Sequence, residues 1–499
     1  MAKEVEREIK LLIDEKYRNK LWNMPLIKEA LKEDSIKTAK LYSTYYDTKD
    51  YKLANTGMAY RIRKNGKNYE ATVKTMGQVV GGFSSRNEYT IPLDKKKVVL
   101  SGFAQDFDEK LQTLTADDEL LKLFDVVINR TACLLQISQE TIVEMAVDEG
   151  EVKAEGTSEP ISEVELEIKQ GNAADLFNYV TELAQKVPVF VENRSKFKRG
   201  LDILLGRESQ IVETARLPYL SSEENAEDEI KKVFYHYIDK IMVGQNLTAQ
   251  KAELQDADVL LLPAWEAILA LWNFVEPLVP GQDFVRMRDD IKTIIRPLLN
   301  LAKLHIWRRS WTELNAISPE LAKPSLLDQH LRGEEKAVLR SISKDIRSGH
   351  YSFQCFSLLA YLTGHTWQKA AFLQLNQFID KRWSSWQEGF GSKGVGELSQ
   401  NKKMAKQLCL FAQGFVVLGA FVKTNKLGKG TYKHLEEFTT RLTNLFQAEL
   451  TPQRAALLCH GVKSKLLYKD LGILQGFLLA QDLRSWKKLA KLGDKLHKK

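Results

Sequence analysis

The sequence predicts an α+β N-terminal domain, an eight-stranded antiparallel barrel with flanking helices, followed by an all-α helical bundle. Three observations carry this expectation. Up to about residue 200 apolar and polar residues alternate, the period of strands with two distinct faces. Only two helical patterns interrupt the alternation, and a sheet of that many strands with few helices between them closes on itself most readily as a barrel. Beyond that point apolar residues recur three and four apart, and strand signals stop.

In chain order, the strands are EVEREIKLLI, KLYSTYYDT, MAYRIRKNG, YEATVKTM, SSRNEYTIPL, DVVINRTACLLQI, ETIVEMAVDEG and ISEVELEIKQ. YRNKLWNMPLIKEALK follows the first as a helix, and AADLFNYVTELAQKV follows the last. KNGKN, GQVVGG and EGTSEP read as turns, because Gly and Asn tolerate the backbone angles that turns need. Residues 1–205 form the barrel domain, a linker beginning GRESQIVETARLPYL covers 206–222, and 223–499 form the helical domain. In the latter, EDEIKKVFYHYIDKIM and KKMAKQLCLFAQGFVVLGAFV show the clearest amphipathic spacing, as expected of a bundle joined by helical hairpins.

The chain is long enough for two or three cores, with 499 residues of which 44% are hydrophobic. MAKEVEREIK carries charge where a secretion signal would be apolar. ADVLLLPAWEAILALWNFVEPLV is the most apolar long stretch, but Pro263 and Glu266 interrupt it, so it reads as a buried helix and not a membrane span. Cys133, Cys355, Cys409 and Cys459 lie far apart with no C-x-x-C spacing, which argues against disulfides or zinc and fits a reducing cytoplasm. Residues 1–200 carry 31 Lys and Arg against 33 Asp and Glu, a net of −2. The remainder carries 42 against 32, a net of +10. That excess fits either an anionic partner or a well-solvated helical surface.

The polar faces of the strands hold the chemistry. Glu6, Glu8 and Lys10 share one face of the first strand, opposite Val5, Ile9 and Leu11. Arg61 and Arg63, then Glu70, Thr72 and Lys74, then Arg86 and Glu88 continue the alternation. Arg130, Glu144, Asp148, the row Glu163, Glu165 and Glu167, and Lys169 complete it. One such strand alone is the ordinary wetted face of a sheet. Strand after strand of Arg and Glu at successive same-face positions, backed by a bulky apolar face, is different. Closed into a barrel, these strands line an interior with both signs of charge, and buried charge is costly unless paired. A hard cation held by carboxylate oxygens, with an oligophosphate held by Arg and Lys, resolves that cost.

These motifs resemble the CYTH domain, also called the triphosphate tunnel metalloenzyme fold. EREIK matches its E-x-E-x-K signature, and YYDT, GMAYRIR, TVK, SRNEY, NRT, VEMAVDEG, SEVELEIKQG and SKFKRG stand in that family's order. The resemblance implies an eight-stranded tunnel that hydrolyses triphosphates with Mg2+ or Mn2+. It implies Glu6, Glu8, Glu163, Glu165 and Glu167 as metal-side carboxylates, and Lys10, Arg61, Arg63, Lys74, Arg86 and Arg130 as a phosphate clamp. Glu88 and Asp148 take the places of further metal- or water-facing acids, and Lys196 or Lys198 that of the late lysine closing the site. Lys10 also stands among the catalytic residues. Removing Glu6 or Glu8 should relieve like-charge repulsion in the metal-free tunnel. No G-x-x-x-x-G-K-[ST] phosphate loop and no Ser/His/Asp set is recognisable.

The second half resembles the CHAD-type helical domain of bacterial inorganic triphosphatases, with a reduced version of its histidine and basic-residue signature. LLCHGVKSKLLYKDL offers His460, Lys463 and Lys469, read either as an anion site or as an amphipathic helix with an incidental histidine. HIWRRSW, with Arg308 and Arg309, and the tail WKKLAKLGDKLHKK are further basic clusters. The leading expectation is a cytoplasmic inorganic triphosphatase, with long-chain polyphosphate as a partner of the helical half and no specific nucleic-acid or membrane partner. The alternatives are same-fold enzymes acting on thiamine triphosphate or nucleoside triphosphates, an adenylyl cyclase, or a polyphosphate-binding scaffold without catalysis.

Overall fold

The computed structural model describes residues 4–497 except 117, 208–217, 251–256, 280, 321–325, 371, 392–397, 420–427, 461 and 463. The greater part of the expected linker therefore lies outside the described residues. Two compact units emerge, one of residues 1–214 with 348–364, the other of 215–347 with 365–499.

The first unit is built on ten strands: β1 (Glu4–Ile13), β2 (Lys37–Asp47), β3 (Ala59–Asn65), β4 (Asn68–Lys74), β5 (Gln78–Val80), β6 (Phe83–Leu93), β7 (Leu121–Gln136), β8 (Ile142–Ala154), β9 (Thr157–Gln170) and β10 (Val189–Val191). All pairings are antiparallel, in the order β10-β1-β9-β8-β7-β2-β3-β4-β6-β5, and a further β1–β6 pairing closes eight of them into a barrel. The eight are the strands expected from alternation. The short β5 lies in GQVVGG, a stretch whose glycines predict a turn; with three residues it is too brief to show a period.

Helices α1 (Glu15–Leu21) and α2 (Pro25–Ala30) replace the single expected helix, because Pro25 cannot donate a backbone hydrogen bond within one and opens a new helix instead. α3 (Lys52–Asn55), α4 (Gln105–Thr115), α5 (Ala173–Lys186) and α6 (Lys196–Leu204) complete the run. Outward-facing Ile9, Tyr60, Ile62, Val164, Leu166 and Ile168 are buried. α4 and α3 supply Phe107, Leu111 and Leu53 over β3, β4 and β6. Val5, expected on that covered face, is 48% exposed, so coverage stops short of the start of β1.

Charge does not run the length of the interior. Phe124, Val126 and Ile128 alternate in phase with Arg130 and pack with Leu41, Val152 and Ile161, and with Phe197, Ile203 and Leu204 of α6. An apolar plug thus fills one end. Gly200 makes this close approach possible: a Cβ there would meet the Phe124 ring at 2.2 Å.

A helix from the second half of the chain also belongs to this unit. α11 (His350–Gly364) packs on α5 and β10, and Leu359 lies against Gly81 at the β5–β6 turn.

The second unit consists of α7 (Ala226–Gln250), α8 (Ala257–Val275), α9 (Gln282–Ile317), α10 (Leu326–Arg347), α12 (Leu375–Gly391), α13 (Lys402–Gly419), α14 (Gly428–Ala448), α15 (Pro452–Leu458) and α16 (Lys465–His497). Among the described residues α8 alone is long and apolar enough to cross a membrane; both its tryptophans, Trp265 and Trp272, are buried in the core of the unit. His460 lies in a turn between α15 and α16, not on a helix with Lys463, which is outside the described residues. Arg308 is held by Asp328 and Glu335, while Arg309 beside it is exposed.

Candidate functional site: a charged pocket inside the barrel

Strand register decides which charges meet. Across β1 and β6 Glu6 faces Arg86, and across β1 and β9 Lys10 faces Glu165. Lys74 faces Glu88 between β4 and β6, and Arg130 faces Asp148 between β7 and β8. The resulting pocket, about 200 Å³, is lined by eight cationic side chains (Lys10, Arg61, Arg63, Lys74, Arg86, Arg130, Lys169, Lys196) against four carboxylates, Glu6, Glu88, Glu165 and Glu167. Glu8, Asp148 and Glu163 lie buried directly behind them.

On one wall Glu6 accepts from Lys74 and Arg86, each at 2.7 Å, and Arg86 also reaches Glu8 at 2.7 Å. Burial would raise the Glu6 carboxyl, but these two cations outweigh it and hold it far below the usual carboxylate range. Burial raises Glu8, and neighbouring Glu165 and Glu6 add to the rise against the pull of Lys10. Glu88 is lowered, its burial outweighed by Lys74 and Arg61.

At the plugged end, the Lys196 ammonium sits among Asp148 (2.8 Å), Glu163 and Glu165 (2.8 Å). Burial opposes its charge, yet the three carboxylates raise its pKa well beyond the ordinary lysine range. Arg130 grips both oxygens of Asp148 at 2.7 Å and also reaches Glu165. A second layer holds this group: the guanidinium of Arg199 donates to Glu159 at 2.8 Å and Glu163 at 3.4 Å.

Arg61 and Arg63 are different. Among the described residues Arg61 ion-pairs only with Glu88, at 3.6 Å, and its Nε has no hydrogen-bond partner. Arg63 donates to Ser43 and lies 3.7 Å from Glu70. Burial, then Arg61 and Arg130 beside it, push its guanidinium down to about 10. Two adjacent guanidinium groups, one buried and one half-buried, both poorly paired, are suited to a charge-assisted contact with an anion.

Of the expected residues, the pocket brings together Glu6, Lys10, Arg61, Arg63, Lys74, Arg86, Glu88, Arg130, Glu165, Glu167 and Lys196. Lys198 is not among the lining: its side chain is 49% exposed and pairs with Asp202 one helical turn on. The alternation of strands does not extend to α6, so the sequence left two lysines where geometry admits one. Lys169, read on the charged strand face, lines the pocket too, and Tyr45, Ser195 and Phe197 line it unexpected. Tyr45 is buried, and although burial opposes its ionisation, Arg61, Arg63, Lys196 and Lys74 outweigh this and lower its phenol. The YYDT motif pointed at this region without distinguishing Tyr45 from Tyr46, because an irregularity in the β2–β7 register falls between them.

Oxygens of Asp148, Glu163 and Glu165 lie within 4.8 Å of one another, the donor chemistry Mg2+ or Mn2+ takes, but here the Lys196 ammonium sits among them, so a metal at this point would have to displace it. Glu167 has Lys169 as its nearby cation, and burial raises it to about 6.

A closed barrel whose interior combines an arginine-rich wall with clustered carboxylates is an arrangement that suits a multiply charged anion. Comparison with known proteins agrees with that arrangement: residues 3–201 match the CYTH domain. An inorganic triphosphatase of Haemophilus influenzae is 38% identical over 162 residues, covering 32% of this chain and 45% of that protein. The match thus spans less than half of that relative's length. Among solved structures, a Hippeastrum protein described as a candidate adenylyl cyclase with a dominant triphosphatase activity is similar at 17% identity and a TM-score of 0.28, over 41% of this chain and 97% of its own. A protein from Pyrococcus horikoshii is similar at 18% identity and a TM-score of 0.26, over 41% and 99%.

Proposed function

We propose that this chain is a metal-dependent inorganic triphosphatase, cleaving tripolyphosphate to pyrophosphate and phosphate inside the barrel. The observation that carries the reading is the under-paired couple Arg61 and Arg63, side by side in a pocket with eight cations to four carboxylates. A multiply charged anion balances such a wall. The name of the Haemophilus influenzae relative supports phosphoanhydride hydrolysis.

Arg61, Arg63, Lys74, Arg86 and Arg130 bind the phosphate oxygens, with Lys10 and Lys196 at the far end of the pocket; Lys198 is left out of this set because it points away. Phosphoryl transfer asks mainly for positioning and charge neutralisation, and guanidinium groups held on barrel strands supply both. Glu6, Glu8, Glu163, Glu165 and Glu167 are the carboxylates that would hold Mg2+ or Mn2+, and Asp148 belongs to the same group. The metal would neutralise phosphate charge and lower the pKa of a bound water. Of the two acids expected to orient the attacking water, Glu88 lines the pocket and would do so, while Asp148 lies behind the lining with both oxygens on Arg130 and would instead hold that guanidinium in position. The helical residues 223–499 fit a CHAD-type domain, and the net +10 of residues 201–499 supports long-chain polyphosphate as a partner. Four free, buried thiols fit a cytoplasmic location.

Phosphate release from tripolyphosphate, ATP and thiamine triphosphate, each with Mg2+, Mn2+ or EDTA, tests this. Tripolyphosphate should be the best substrate and EDTA should abolish turnover. Preference for an organic triphosphate would move the assignment to another enzyme of this fold. Tight binding of tripolyphosphate without release in any metal would make the protein a scaffold.

A further inference from the structure

None of the described residues of the basic C-terminal tail lines the barrel pocket, and α16, which contains residues 486–497 of it, has two apolar faces. Leu467, Leu471, Leu474 and Leu478 of α16 are buried and pack with Trp307, Trp311, Leu327 and Leu331. That inward stripe accounts for the helix as a structural element. A second stripe faces outward: Tyr468 is 55% exposed, Leu479 60% and Leu483 62%. Gly472 and Gly476 lie between them, with open space where a Cβ would project. At about 100° per residue these positions, with half-buried Trp486, fall in one sector of the helix. Lys469, Arg484, Lys487, Lys488 and Lys491 are exposed or half-buried in the adjoining sector. Among the described residues, Arg484, Lys487, Lys488 and Lys491 form no ion pair.

We propose that this outward face of α16 docks on an anionic lipid bilayer, lying in the interface and not spanning it. Exposed leucines with a tryptophan and tyrosine, bordered by unpaired lysines, are the composition of an interfacial helix. Its apolar residues enter the headgroup boundary while the cations meet acidic headgroups. The stripe from Tyr468 to Leu483 runs roughly 22 Å at 1.5 Å per residue, enough to set the helix parallel to a surface. A second copy of the chain suits the face less well, because either helix orientation brings basic ends toward basic ends.

The test is cosedimentation of the full-length protein with vesicles of phosphatidylcholine alone or with about one-third phosphatidylglycerol. Binding should be at least tenfold tighter on the anionic vesicles and fall severalfold when salt is raised, as screening requires. Leu479→Ser with Leu483→Ser should cost tenfold or more in vesicle affinity, with circular dichroism and phosphate release unchanged. Lys487→Glu with Lys491→Glu should do the same. Failure of the parent protein to sediment with anionic vesicles overturns the proposal. So does undiminished binding by the serine variant, which would reduce the effect to unspecific charge. A parent dimer dissolved by the serine changes would assign the face to a second copy instead.

Discussion

Arg61 and Arg63 lack the close carboxylate partners that Arg86 and Arg130 possess, so they have the most to gain from an anion. Each charge-assisted contact contributes about 1.5–3 kcal/mol, and about 1.4 kcal/mol is tenfold in affinity. Calorimetry should therefore find tripolyphosphate affinity down at least tenfold in Arg61→Ala or Arg63→Ala. Relief of mutual repulsion should leave the melting temperature of either variant level or higher. Unchanged affinity in the double variant would make the two arginines structural. Glu6 inverts the expectation drawn from like charges. The grip of Lys74 and Arg86 on it outweighs any crowding by other acids. Glu6→Gln should abolish metal-dependent hydrolysis and also lower stability, by roughly 1–3 kcal/mol of lost charged hydrogen bonding. A thermal melt in EDTA reads the second effect directly, and an unchanged or raised midpoint would restore the repulsion argument.

Elements differ in how plainly the chain declares them. The eight barrel strands were legible because one wet and one dry face impose a two-residue period over seven or more residues. The charged site was legible for the same reason: Glu6, Arg63 or Lys74 sits where an alternating strand must turn inward. What was not legible depends on contacts distant in sequence. SKFKRG shows charge but not that α6 enters the barrel, laying Gly200 on Phe124 and selecting Lys196 over Lys198. β10 has three residues and acquires its identity only by pairing with β1. α8 was rightly expected to be buried, yet its carboxylate Glu266 has a consequence hydropathy does not reveal. Burial raises Glu266 to about 7, with Gln447 as its hydrogen-bond donor. An acid raised on folding costs nothing below its unfolded pKa near 4.5. Its penalty grows as pH rises from there and is complete above about 7. Glu266→Gln removes the charge and should stabilise the protein at pH 8 by up to about 3 kcal/mol, since each tenfold difference in proton affinity between the folded and unfolded chain is worth about 1.4 kcal/mol. The gain should shrink to under about 1 kcal/mol at pH 5. Urea melts at the two pH values check this; an equal gain at both would assign it to packing instead of ionisation.

At the scale of the molecule, the division of labour does not follow the chain. Every residue assigned to phosphate or metal precedes Arg207, which suggests that a chain ending there would keep the chemistry. The first unit, however, takes α11 from residues 348–364. Tyr351, Cys355, Phe356, Leu358, Leu359 and Leu362 are buried on that helix, and α5 presents Leu176, Phe177, Val180 and Leu183 on its own buried face. Each large side chain returned to water costs about 1.5–3 kcal/mol, so even a few rival the roughly 5–15 kcal/mol that holds a typical domain. Leu359 also abuts Gly81, at the turn leading into β6, the strand that carries Arg86 and Glu88. A chain ending at Arg207 should therefore aggregate or melt well below the full-length protein, and its loss of activity would follow from loss of fold. Joining residues 348–364 to that shortened chain by a flexible Gly/Ser linker should return solubility, a cooperative melt and phosphate release together. If the shortened chain without α11 is monodisperse, equally stable and active, the barrel is complete by residue 207 and α11 is a passenger on its surface. If it is folded and stable yet inactive, residues beyond 207 complete the active site and the chemistry is not confined to the tunnel.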